Sequence, residues 1–318
     1  MNYFIKNTIR LLFVVLFVSI VFSCKERSKN NSENSASEVA VASKDYKRVE
    51  IPSVITDNDL RRKFLLIHFW DNLNLKDTSF TANPIYIREP FREYLDVLVV
   101  SGYDESRESV LILTKRVIAS QINIIKYFLA VFEESLYDPN SIYKNDELYV
   151  TFIEEVLKSD TLPFEIKERL SFQLNMLVKN RVNTKAANVE FVTSEGKNTS
   201  LYNVKSPFIL LLFYEPDCQN CNIAIEMMKS SNVLKEAGNK IKVVALYTGD
   251  NKALWNSHLK NMSKNWVVGF DSKNSVINNS IYDRRSAPSF YILDAGKTVL
   301  VKDATYDTCI RFIKENII

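Results

Sequence analysis

Two cysteines with two residues between them, Cys218 and Cys221, are the side chains whose type and spacing could do chemistry. A Cys-x-x-Cys pair can open and close as a disulfide, and it can also form half of a zinc site. Zinc would need two more ligands, and after Arg181 only Cys309 and His258 remain to supply them. The chain holds two histidines in all, with neither His-Glu-x-x-His nor paired metal-ligand spacing. No metal or other cofactor is expected. The surroundings of the pair favour thiol–disulfide exchange. An apolar run at 208–214 meets Glu215-Pro216-Asp217, and an amphipathic helix begins at Asn220. Strand, turn, dithiol and helix follow one another.

Around that stretch, strands alternate with helices from about residue 183 onward, the pattern of a sheet with crossover connections. Strands are expected at 189–192, 200–202, 208–214, 241–247, 266–270, 289–293 and 298–302. Asp294-Ala295-Gly296 reads as the hairpin joining the last two. The helix after the cysteines should present Ile223, Met227, Met228 and Leu234 and end near Gly238. Others are expected at 252–262, 275–282 and 306–316. Cys309 shares a stripe with Tyr306, Ile310, Ile313 and Ile317, which makes it a buried structural thiol. His258 reads as a helix-surface residue, and Arg284 and Arg285 as loop charges.

Residues 51–182 read as a separate all-helical domain. Asp57-Asn58-Asp59 offers a cap for a helix bearing Leu60, Phe64, Ile67 and Phe69, and 74–84 is loop-like. Further helices are expected at 90–100, 105–136, 145–158 and 164–179. In the long one, Leu111, Ile118, Ile122, Ile125, Leu129, Phe132 and Leu136 fall on one stripe. His68 lies between apolar neighbours and reads as a packed residue. The pairs Glu133-Glu134 and Glu154-Glu155 read as solvated faces.

Composition is that of a globular protein: 318 residues, 46% hydrophobic, 25% charged, with only 6 glycines, too few for a glycine-cradled phosphate site. Lys6 and Arg10 precede an apolar run at 11–22 that ends in Ser23-Cys24, the pattern of a secretory signal over 1–23. Without Lys6 and Arg10, the 41 basic residues fall to 39 against 38 acidic ones. That balance excludes a general nucleic-acid binder. Residues 24–50 are rich in Ser, Asn and charge and read as a flexible tether.

Three resemblances follow from these motifs. Val21-Phe22-Ser23-Cys24 resembles the lipobox of bacterial lipoproteins, which implies lipidation at Cys24 and a place in the cell envelope, at the outer membrane facing the periplasm. HFWDNLNLKDTSF, followed by helices, resembles a helical domain of unknown function found ahead of thioredoxin-like domains in Bacteroidota lipoproteins. Residues 183–318 resemble the TlpA/ResA-like branch of the thioredoxin superfamily. The carriers are NVEFVTSEGKNTSLYNV, the join Phe213-Tyr214…Cys218-x-x-Cys221, and Ala287-Pro288 before a strand.

The fold implied is an α/β thioredoxin-like domain, a central mixed sheet flanked by helices, behind an all-α domain. By position, Cys218 should sit at a helix N-terminus as the exposed nucleophile, with Cys221 buried one turn inward as the resolving thiol. By resemblance, Pro288 is cis and faces the cysteines. The implied activity is reduction or reshuffling of protein disulfides, with disulfide-containing envelope proteins and an upstream electron donor as partners. Two features depart from the family: Leu212 stands where thioredoxins bury an aspartate, and Asp217 directly precedes Cys218. With Gln219-Asn220 lacking both the proline of strong reductants and the histidine of strong oxidants, they point to a reducing or mid-range couple. The competing expectation is an envelope binding or scaffold lipoprotein whose thioredoxin-like fold is mainly structural.

Overall fold

The computed structural model describes residues 46–82 and 85–318. Cys24, the signal pattern and most of the tether lie outside the described residues, as does Pro84. Residues 46–50, the end of the sequence-predicted tether, are described, and Tyr46 is buried against Phe69 and Trp70.

The first half is helical: α1 (Asn58–His68), α2 (Ile85–Val99), α3 (Tyr103–Ile118), α4 (Ile122–Phe132), α5 (Asp146–Val156) and α6 (Phe164–Leu177). Asp57 caps α1, its carboxylate accepting the Leu60 N–H at 2.9 Å. Of the four expected core residues, Leu60 and Ile67 are exposed and Phe69, the C-cap, is buried; within α1 itself Leu66 is the buried one. Helix α2 starts five residues earlier than Pro90, which lies within it.

The single helix expected over 105–136 is three pieces. Helix α3 ends at Ala119, Gln121 takes an extended cap conformation, and α4 passes into a π-turn, Glu133–Tyr137. Ile125, Leu129, Phe132 and Leu136 are buried as expected, but over α3 the stripe shifts. Helix α3 buries Ser106, Ser109, Val110, Leu113, Thr114 and Val117, whereas Leu111 and Ile118 are only partly covered. Hydroxyls can take that face because each has a carbonyl: Ser106 donates to Leu98, Ser109 to Leu66 and Thr114 to Val110.

The second half is built on one sheet of β1 (Glu190–Thr193), β2 (Asn198–Ser200), β3 (Phe208–Tyr214), β4 (Ile241–Tyr247), β5 (Val267–Phe270), β6 (Ser289–Asp294) and β7 (Val299–Ala304). The order is β2-β1-β5-β4-β3-β6-β7, with β3, β4 and β5 parallel and the remaining pairings antiparallel. Central β3 is paired on both edges and covered on both faces, which is why 208–214 is an unbroken apolar run. One face packs on α7 (Gln219–Ser230) and α11 (Tyr306–Asn316) through Leu210, Leu212, Ile225, Met228, Cys309 and Ile313. The other packs Ile209, Leu211, Phe213, Val244 and Tyr291 under Phe191 and Leu201. The expected hairpin is present: the Lys297 N–H bonds to the Asp294 carbonyl at 3.0 Å, with Lys297 at φ +70°.

Candidate active site

Strand β3 delivers the chain to the cysteines. It ends at Tyr214, turns through Glu215-Pro216-Asp217, and starts α7 with Cys218 as the N-cap. The Cys218 sulfur accepts the Cys221 N–H at 3.3 Å, a bond usually made by a serine or aspartate oxygen. The thiol therefore stands at the positive end of the α7 dipole, partly exposed. Cys221 is fully buried and accepts the Glu215 N–H at 3.5 Å. Burial, together with the Cys218 contact, pushes its thiol up to about 12. Both cysteines are free thiols.

The opposite wall of the site comes from the loop before β6. The Ala287-Pro288 bond is cis, and the Cys218 thiol donates to the Ala287 carbonyl at 3.6 Å. Residues 69 positions apart in sequence meet here because β6 pairs with β3, setting Ser289 opposite Phe213. Cys218, Cys221 and Pro288 are thus brought together. Cys309 is fully buried in α11, its thiol pushed up by burial.

Leu212 is fully buried within β3, so no acid stands behind Cys221 at that place. Of the two acids close in sequence, Glu226 is exposed and paired with Lys229 at 2.7 Å. Glu215 is half-buried and faces Arg284 at 3.6 Å, its carboxyl raised by desolvation against the opposing pull of Arg284. The Arg284 guanidinium lies 5.8 Å from the Phe213 ring centre. It joins the cysteine turn to the cis-proline loop and is not a free loop charge.

Arg285 is a larger correction. Its side chain is 6% exposed and contacts Asp146 at 2.9 Å, Asp303 at 2.9 Å and Asp283 at 3.2 Å. It also donates to the Tyr137 carbonyl at 2.7 Å and lies over the Tyr137 ring. Lys144 reaches Asp303 at 3.3 Å and Lys302 reaches Asp146 at 3.6 Å. Ser289 donates to Asp303 at 2.7 Å. Two arginine and lysine donors from the sheet half and one lysine from the helical half balance three carboxylates, in a seam that holds the cis-proline loop against the helices. No sequence signal announces it, since the partners that cross between the halves lie more than 130 positions apart.

His258 is also corrected. It is buried on α9 (Lys252–His258), with its ring 5.8 Å from Tyr214 and its pKa lowered by burial. The expected apolar face of α7 is rotated: Ile223 and Met227 are exposed, and Cys221, Ala224, Ile225 and Met228 are buried. His68 pairs with Asp71 at 2.7 Å and stacks on Phe64.

The architecture matches that of a crystallised thioredoxin-like protein from Bacteroides caccae: TM-score 0.80 and 28% identity over 85% of this chain and 98% of that one. The chain has a thioredoxin-like fold behind its helical region. Residues 23–180 match the family described as a domain of unknown function, DUF5106. Other matches cover less of the chain. One is the C-terminal domain of an uncharacterized protein from Bacteroides fragilis, 34% identical over 43% of this chain and 99% of that one, TM-score 0.42. Another is a domain of a possible thiol-disulfide isomerase from Cytophaga hutchinsonii, 22% identical over 42% and 92%, TM-score 0.37. No curated protein matches the chain.

Proposed function

We propose that the chain is a thiol–disulfide oxidoreductase of the cell envelope, lipid-anchored through Cys24 at the outer membrane facing the periplasm, that reduces or reshuffles disulfides of envelope proteins. The observation that carries this reading is the partly exposed Cys218 thiol at the N-terminus of α7, 3.6 Å from the Ala287 carbonyl, with Cys221 buried behind it.

The chemistry balances with these groups alone on the enzyme side. The Cys218 thiolate attacks one sulfur of a substrate disulfide, forming a mixed disulfide and releasing the first substrate thiolate. Cys221 then attacks the Cys218 sulfur, closing the Cys218–Cys221 disulfide and releasing the second. The two protons of the dithiol end on the two substrate thiols, and two electrons have passed to the substrate. An upstream dithiol donor must return them. Ala287, exposed beside Cys218, offers its backbone to an extended substrate segment, as the cis-proline loop does in the resembling family.

The test is reduction of insulin disulfides by the full chain, with Cys221→Ser used to capture partners. Wild type should reduce insulin, Cys218→Ser should not, and Cys221→Ser should accumulate mixed disulfides through Cys218 in cells. No turnover and no captured protein would leave the binding or scaffold reading in its place.

A further inference from the structure

A groove of about 620 Å³ opens beside the cis-proline loop, walled by Arg88 of α2, Glu133 and Glu134 of the π-turn, Asp138, and Arg285 and Ser286 of the loop. We propose that this groove, shared by the two halves of the chain, binds the polypeptide flanking the attacked disulfide and selects segments carrying a lysine or arginine near the cysteine. The inference rests on the thiol–disulfide reading of Cys218.

Position is the first argument. Ser286 lines the groove and directly precedes Ala287, whose carbonyl is 3.6 Å from the Cys218 sulfur. The groove floor is fixed to that loop, because the Arg285 guanidinium bonds the Tyr137 carbonyl and covers the Tyr137 ring. A strand lying along the loop advances about 3.3 Å per residue. It therefore runs from the reacting sulfur into the groove within a few residues. The groove is shallow and open, a shape that receives an extended segment laid across it rather than an enclosed small molecule.

Charge is the second. Within the groove Arg88 and Glu134 pair with each other at 2.9 Å. Glu133 is held by Arg169 at 2.7 Å and by Gln173 at 2.8 Å. Arg285 is spent on the buried seam carboxylates. Asp138 is left. Its carboxylate accepts the Asn140 N–H at 2.8 Å and the Asn140 amide at 3.2 Å, and among the described residues no cation pairs with it. A partly buried carboxylate without a cation, in a recess whose other charges are already paired, attracts a cationic side chain and repels an anionic one.

The experiment compares single-turnover rates of the reduced full chain with three disulfides. One is bis(2-hydroxyethyl) disulfide, too small to reach the groove. The others are matched decapeptides with a mercaptoethanol-capped cysteine and either lysine or glutamate two and three residues from it. Wild type should react with the lysine peptide about fivefold or more faster than with the glutamate peptide, a ratio shrinking in high salt. Asp138→Asn keeps an acceptor for Asn140 and should narrow the ratio; Asp138→Lys should reverse it. Both should leave the small-disulfide rate unchanged, which also reports that the variants are folded. An unchanged peptide ratio with normal small-disulfide exchange overturns the inference while leaving the redox reading intact. Failure of wild type on all three disulfides removes the redox reading, and this inference with it.

Discussion

The two thiols differ by environment, since each belongs to the same tetrapeptide. Cys218 is reachable and sits where helix N–H groups point; Cys221 is sealed in the core, its proton held up to about 12 by burial. Of the three cysteines among the described residues, alkylation of the reduced chain with iodoacetamide at pH 8 should therefore label Cys218 alone, with Cys221 and fully buried Cys309 labelled only after denaturation. Peptide mass spectrometry reads the outcome, and native labelling of Cys221 first would reverse the assignment of roles. At this scale the sequence was informative. A thiol at the join of an apolar run and a helix has its exposure set by local geometry. His258 was misread because a polar residue near the end of a short helix gives no sign of what covers it. In the structure it lies beside Tyr214.

At the scale of elements, β3 and α7 were legible because both faces of β3 are covered and α7 begins where its cap sits. The 105–136 helix was not, because Ser106, Ser109 and Thr114 occupy its buried face and conceal the true stripe. The cis-proline loop carries a testable pH effect. Asp283 is raised to about 6, chiefly by desolvation, from an ordinary value near 3.8. Between those values the folded chain binds a proton that the unfolded chain has lost. Stability therefore falls as pH rises from about 4 to about 6, and the loss is complete above that window. Asp283→Asn cannot take the charge, so its stability relative to wild type should rise across the same window, by on the order of 2–3 kcal/mol. Urea denaturation at pH 4 and pH 7.5 measures the difference, and a pH-independent difference would place the titration elsewhere.

For the whole molecule, the seam makes two halves with separate hydrophobic cores behave as one. Besides the buried charges, Lys179 donates to the Ser280 carbonyl at 2.8 Å, Asn180 to the Ile281 carbonyl at 2.7 Å, and Lys302 to the Leu177 carbonyl. The full chain should unfold in urea as a single transition by tryptophan fluorescence and far-ultraviolet circular dichroism alike. Arg285→Ala leaves three buried carboxylates with two lysines and should cost about 3–5 kcal/mol. The two probes should then separate, and their continued coincidence would show that other contacts couple the halves. None of this was visible in the sequence. Charges paired across more than a hundred positions leave no periodicity, so Arg285 looks like any other loop residue until Asp146 is placed beside it.

The seam also bears on how such chains can be recombined. Residue 182 is the junction at which a helical domain would be exchanged for another, and a thioredoxin-like half moved to a new host would carry Arg285 and Lys302 without Asp146. The incoming helices would need a carboxylate at that height, or Arg285 would keep only Asp283 and Asp303 and Lys302 would lose Asp146. A recombined chain that keeps Asp146 with Arg285 and Lys302 retains this buried contact, and one that separates them leaves two buried cations short of a carboxylate.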